Sequence, residues 1–413
     1  MNFNLIDQNK FNLGLVWWNQ FPIQLRLITK IRFFASVGAG GVIYLTSLIF
    51  NNIGLSATEI GFGFTVSAIV GTLTRIITGN YLNEKNNIQL PFTISCSCSI
   101  IASFLLIFSR SPISYIIGQS FIGAAAGIYW PTAEISVSLL CNQVLLRKAY
   151  ALVRSAEALG IFIGVLLGSF LNSFLYFKSI FINDIICMFI ILFLLIKNNH
   201  KIKYALNIYQ TNSEKLINST QDQWHKNTII ITLAIILVTT CLALIQVTLP
   251  LDFVKGGINR TPISKNLTSY IISFQLILLF LFQWPIGSWL ATKGRLFGLK
   301  FSLLNFFFTT IVLFISSYLT DLGIYLMLLS IIFCSLGISS FLPTCTDVIL
   351  KIAPTNKRGL ALAILSQCFA LGYFIGPLIS GSVMDFYGRA SLIWASISFA
   401  AVALYLRIFK MKF

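Results

Sequence analysis

Twelve apolar runs divide this 413-residue chain, at 31–51, 56–79, 90–109, 113–136, 149–172 and 178–197, then at 227–250, 267–290, 297–318, 322–345, 359–383 and 391–409. Each is close to the roughly 20 residues that cross a hydrocarbon core as a helix. Inside lipid, backbone amides must be satisfied within their own segment, so the runs predict an all-α membrane protein. Only 10% of the residues are charged, against about 25% in soluble chains. The runs fall into two sets of six. This predicts a cytoplasmic N-terminal arm (1–30), a first half (31–197), a polar cytoplasmic linker (198–226) that holds both histidines, and a second half (227–413). Trp17 and Trp18 give the arm an interfacial character. No cleavable signal peptide is read in the first thirty residues.

A repeat relates the two halves. Ala158-Leu159-Gly160-Ile161-Phe162-Ile163-Gly164-Val165-Leu166 returns 212 residues later as Ala370-Leu371-Gly372-Tyr373-Phe374-Ile375-Gly376-Pro377-Leu378, with seven of nine positions identical. Pro131-Thr132 and Pro343-Thr344 keep the same offset. That period is far longer than the roughly 20–50 residues of a solenoid unit, so each half-chain is one copy. Glycines four apart let helix backbones approach. Gly160, Gly164 and Gly168, with Gly372, Gly376, Pro377 and Gly381, are therefore the expected helix-packing faces.

The net charge of +17 is distributed in short gaps between apolar runs. A nucleic-acid binder would gather such charge on a polar face. With the N-terminus inside, 21 basic residues fall in cytoplasmic segments and six in external ones, which places both termini and the linker in the cytoplasm. The eight cysteines are scattered through apolar segments and read as small buried hydrophobes. No spacing suggests a metal site or a cofactor.

Two six-helix halves with this loop chemistry resemble the major facilitator superfamily of secondary transporters, over about residues 31–409. The resemblance rests most on Gly287-Ser288-Trp289-Leu290-Ala291-Thr292-Lys293-Gly294-Arg295, which is similar to the family's cytoplasmic loop signature. Gly79 to Lys85 form a more eroded first copy. Asn83 and Ala291 stand where the family carries an acid, so the resemblance implies a weakened cytoplasmic latch. Gly123, Gly127 and Pro131 fit the fourth span of a drug-exporter-like branch. Gln119 and Val165 depart from that branch's Arg and Pro.

Ionisable groups inside the spans are costly, about 2.5–3.5 kcal/mol each at the bilayer centre, and mark candidate sites. Glu157, Arg154, Glu134 and Arg75 are the candidates for proton coupling or gating. At 100° per residue, Glu157 lies within about 60° of Gly160 and about 20° of Gly164 and Gly168, on the small-residue face. The alternative is an ion pair with Arg154, three residues back, or of Glu134 with Arg154. Asp184 and Asp347 are weaker candidates, and Asp252 and Asp385 are expected to be solvated at external helix ends. Gln119, Tyr129, Gln246, Gln275 and Gln367 are the candidate cavity residues, with Trp130, Trp284 and Tyr373 nearby.

The function expected from these features is alternating-access transport by a monomer, without cofactor or nucleic acid. The substrate is a small molecule, with protons as the candidate coupling ion and lipid as the surround. Export of amphipathic, drug-like compounds is the first reading and transport of a small polar metabolite the second. A non-transporting sensor on the same fold is a third, and lacks the added soluble domain that a sensor would carry. An intramembrane enzyme is disfavoured because no His or paired-carboxylate constellation falls in the spans.

Overall fold

The structure is a computed structural model that describes residues 18, 21–84, 87–139, 146–174, 178–198, 224–291, 293, 295–352 and 358–409. These contain twelve long helices: α1 (Ile23–Ile53), α2 (Ala57–Glu84), α3 (Gln89–Phe108), α4 (Pro112–Leu139), α5 (Leu146–Phe174), α6 (Ser179–Lys197), α7 (Trp224–Lys255), α8 (Lys265–Ala291), α9 (Arg295–Ser316), α10 (Asp321–Ile352), α11 (Arg358–Tyr387) and α12 (Ser391–Phe409). Eleven are long and apolar enough to cross a membrane by length and composition. The twelfth, α4, is diluted by Gln119, Glu134 and three glycines. Large side chains such as Phe104, Phe189, Phe193 and Phe399 are exposed along the outer helices, as expected where lipid replaces water. Most of the linker, 199–223, and Lys85 and Gly294 of the loop motifs lie outside the described residues.

Local chemistry sets the helix ends. Gly54, at φ 106°, closes α1, with Leu55 N–H donating to Phe50 O at 3.0 Å. Ser56 then opens α2 through a capping box. Its hydroxyl accepts from Glu59 N–H at 3.1 Å, and Glu59 accepts from Ser56 N–H at 2.8 Å. The helix α1 begins at Ile23, eight residues before the apolar run read at 31.

The glycine repeat packs the fifth helix of each half on the first. A Cβ on Gly164 would strike Val37 O, and one on Gly160 would come 2.6 Å from Phe33 O. In the second half, a Cβ on Gly372 would lie 2.6 Å from the Thr239 carbonyl carbon. Gly168 has Ser380 as its counterpart, whose hydroxyl accepts from Thr248 at 2.6 Å. Pro377 and Gly381 serve a different contact, with α2 of the first half. Gly61 lies beneath Pro377 O, and Gly381 beside Ala57 O.

Contacts between halves gather toward one end, here called the far end because the chain termini lie at the other. Thr65 Oγ1 donates to Phe374 O at 3.1 Å, and Asp385 accepts from Ala57 and Thr58 amides. Ser169 and Ser273 hydroxyls are 3.5 Å apart, and Lys265 donates to Asn52. Among the described residues, all these hydrogen bonds lie from mid-depth to the far end. At the terminal end, a Cβ on Gly79 or Gly287 would meet open space.

Candidate functional site

The terminal end of the first half carries a ring of four charges. Arg32 on α1 is 1% exposed, and its Nη2 and Nε donate to Glu157 Oε2 on α5 at 2.7 and 3.1 Å. The same Nη2 reaches Glu134 Oε1 on α4 at 3.2 Å. Arg154, one turn before Glu157, closes the ring, with Nη2 at 2.9 Å from Glu134 and Nη1 at 3.1 Å from Glu157. Two cations thus balance two anions, which makes charge at this depth tolerable. Trp130 lays its ring 4.3 Å from the Arg32 guanidinium carbon, and Tyr129 lies 5.6 Å away. The ring has an inner and an outer side. Arg32 and Glu157 side chains are 1% and 12% exposed, whereas Glu134 and Arg154 are 36% and 40% exposed. Arg32 Nη1 is buried without a hydrogen-bond partner among the described residues.

None of the four has a charged counterpart in the second half. Glu134, Arg154 and Glu157 have Thr346, Ser366 and Phe369 at the repeat positions 212 residues on, and α7, the counterpart of α1, carries no charged residue between Lys226 and Asp252. Duplication built the scaffold, and the charges are confined to one copy.

A second polar junction lies at mid-depth, where the halves meet. Tyr373 on α11 donates its hydroxyl to Gln246 Oε1 on α7 at 2.7 Å. Tyr44 on α1 approaches the same pair from the other half. Gln246 and Tyr373 are half-buried and Tyr44 is buried.

The other candidate residues are scattered. Gln275, a candidate cavity residue, is packed between helices. It is 1% exposed, and its amide donates to Cys334 Sγ at 3.1 Å between α8 and α10. Gln119 is also 1% exposed, and neither amide atom has a partner among the described residues. Gln367 is half-buried on α11, and Arg75 half-buried on α2. Asp184 is buried and accepts from Ser99 and Ser103 hydroxyls at 2.8 and 2.7 Å. The expectation of a solvated Asp252 is overturned. It is 1% exposed and ion-paired to Arg260 at 3.0 Å, with Trp394 Nε1 donating at 3.3 Å. A short loop that folds back over the end of α7 excludes the water. Lys293 is exposed beyond α8, and Arg295 begins α9. Asp347 and Trp284 side chains lie outside the described residues. Among the described residues, no cluster of three or more His, Cys, Asp or Glu could hold a metal.

Arg32 and Tyr44 are the residues that reading the sequence misses. The charge tally counts Arg32 with the basic arm because the apolar run begins beside it. The signal lay upstream. Leu25, Ile28 and Ile31 continue the helical periodicity and are all buried, so Arg32 falls well inside a helix rather than at its mouth.

Comparison with known proteins bears on the whole chain. The family model described as Major Facilitator Superfamily matches residues 31–257 and 231–412. A riboflavin transporter, RibZ, of Clostridioides difficile (strain 630) is 25% identical over 180 residues. That match spans 44% of this chain and 37% of the relative. Among solved structures, a POT family transporter in complex with 5-aminolevulinic acid superposes with TM-score 0.78 at 13% identity, over 94% of this chain and 96% of the other. The nucleoside transporter NupG gives 0.71 at 16%, over 95% and 100%. A D-xylose-proton symporter gives 0.70 at 15%, over 94% and 97%. At these identities the structures speak to fold alone.

Proposed function

The chain belongs to the major facilitator superfamily, an integral multi-pass membrane fold of secondary transporters, and we propose that it carries a small polar solute with a flat ring by alternating access. The observation that carries this reading is the four-charge ring under Trp130. An amphipathic-drug site needs apolar faces and few fixed charges. Here two carboxylates and two guanidinium groups stand together, with Glu134 and Arg154 open to a solute and Trp130 offering a stacking face. Gln246 and Tyr373 supply further hydrogen-bonding groups at mid-depth. The riboflavin transporter among the relatives fits the same chemistry, since a flavin is flat and polar.

In this reading both termini face the cytoplasm, because 21 basic residues against six set that orientation. The far end is then external and closed, and the structure is an inward-facing state. The halves rock about the Tyr44–Gln246–Tyr373 junction, the only one of the two polar sites that spans both.

Export of amphipathic compounds is the second reading, favoured by the aromatic faces of Trp130 and Tyr373. Proteoliposomes separate the two. Riboflavin, a nucleoside, a dipeptide, xylose and a lipophilic cationic dye would each compete for transport under imposed pH gradients. We expect the flavin or the nucleoside to compete best. Transport of the dye, with no competition from either, would overturn the polar-solute reading. A pH-gradient requirement would identify the proton as coupling ion.

A further inference from the structure

We propose that Asp385, reaching from the end of α11 onto the first two amides of α2, is the latch that holds the two halves closed at the far end. Four amides at a helix start have no intrahelical acceptor. The residues around the start of α2 provide for only part of that need. Ser56 O accepts from Ile60 N–H at 3.1 Å, and Ser56 Oγ accepts from Glu59 N–H at 3.1 Å. Ala57 and Thr58 N–H remain, and both are taken by the other half. Asp385 Oδ1 accepts from Ala57 at 3.1 Å and Oδ2 from Thr58 at 2.6 Å. One carboxylate therefore makes two charge-assisted hydrogen bonds at the positive end of a helix.

The contact is tied to the relative position of the halves. Gly381, one turn before Asp385, lies against Ala57 O, and Gly61, one turn after Ala57, lies under Pro377 O. With backbones this close, α2 and α11 cannot slide past one another. The cap breaks when the helices part, and it breaks all at once. It is also reversible. Asp385 and Lys255 side chains are 28% and 27% exposed and 3.4 Å apart, so on opening water reaches both freed amides and Lys255 retains the carboxylate. Lys255 lies on α7, in the same half as Asp385, and keeps the latch aimed in either state.

The inference rests on the alternating-access reading. Its test needs no substrate, so its failure is distinct from failure of the proposed solute. Spin labels at Ser111 and Thr320, exposed in far-end connections of opposite halves, report separation there in a cysteine-free background. In the wild type the short distance should dominate. Asp385→Ala should raise the ratio of long to short distances about tenfold, the scale expected on losing hydrogen bonds to a charged group. Asp385→Asn keeps one acceptor and should raise it less. Ser56→Ala removes the cap that α2 supplies for itself and should weaken both states alike, leaving the ratio unchanged. If Asp385→Ala does not fold, Asp385→Asn decides. An unchanged ratio in the folded Asp385 variants, or an equal shift in Ser56→Ala, would overturn the latch.

Discussion

Arg32 and Glu157 are 125 residues apart in sequence, yet Nη2 of one lies 2.7 Å from Oε2 of the other, buried between the first and fifth helices of one half. The contact changes what Glu157 is expected to do. Its Oε2 receives Arg32 twice and Arg154 once. Glu157→Gln would leave Arg32 buried beside Trp130 with only Glu134 as counter-ion. We expect a loss of about 3 kcal/mol in stability, the scale for breaking a buried pair from one side, read as a lowered melting temperature in detergent. Arg32→Gln with Glu157→Gln should recover much of it. A double variant that is fully stable, yet unable to accumulate solute against its gradient, would return Glu157 to the role of proton carrier.

The spans were legible because a bilayer leaves no other use for twelve apolar runs of that length, and the fold class followed from their number and the repeat. The charged ring was half legible. Arg154 and Glu157 are three apart on one helix, and Glu134 stands at the end of the helix before. Arg32 comes from a distant segment, and proximity in a bundle leaves no local trace in sequence. The amides were the least legible. Gln246 and Gln275 are both glutamines in apolar helices, and only packing makes one a junction between halves and the other a filler against Cys334.

Trp130 is the face on which a flat solute would stack in the proposed site. Trp130→Ala should raise the half-saturating solute concentration about tenfold, at the scale of a cation–π and stacking contact. Trp130→Phe should raise it about threefold, since a smaller ring keeps part of the face. The four ion pairs do not include Trp130, so the melting temperature should move little in Trp130→Phe. Equal half-saturation in all three proteins, measured by uptake into proteoliposomes, would move the solute away from this ring.

Asp252 and Arg260 form a separate pair that binds the far-end loop to its half. Arg260 also donates to Ser316 Oγ at 2.8 Å and to Asp252 O at 3.0 Å, and its side chain is 0% exposed. Arg260→Gln leaves a buried carboxylate uncompensated and should cost about 3–5 kcal/mol. The Trp394 indole shares that carboxylate, so its fluorescence should report loosening before global unfolding. Solute preference should be unchanged in protein that survives purification. A changed preference at unchanged stability would give the pair a functional role that its position inside one half does not predict.

The glycine repeat makes the finest distinction. Gly164 and Gly376 are equivalent by sequence, each the second glycine of its motif. Their surroundings differ. A Cβ on Gly164 would overlap Val37 O, a backbone atom in a packed helix. One on Gly376 would meet Thr240 Cγ2 and O at 3.3 Å and Ala243 Cβ at 3.4 Å, contacts that a few tenths of an ångström relieve. Gly164→Ala should therefore force α5 from α1 and cost about 2–3 kcal/mol, within the range of overpacking in a dense core. Gly376→Ala should cost under about 1 kcal/mol, offset by the better helix propensity of Ala. Gly372→Ala, with the Thr239 carbonyl carbon at 2.6 Å, should behave like the Gly164 variant. Leucine should be disruptive at all three, with transport lost while membrane insertion survives, because one added Leu does not hinder a spanning helix. Thermal melts of the three alanine variants in one detergent test the order. Gly376→Ala as damaging as Gly164→Ala would mean that α11 packs on α7 as tightly as α5 packs on α1.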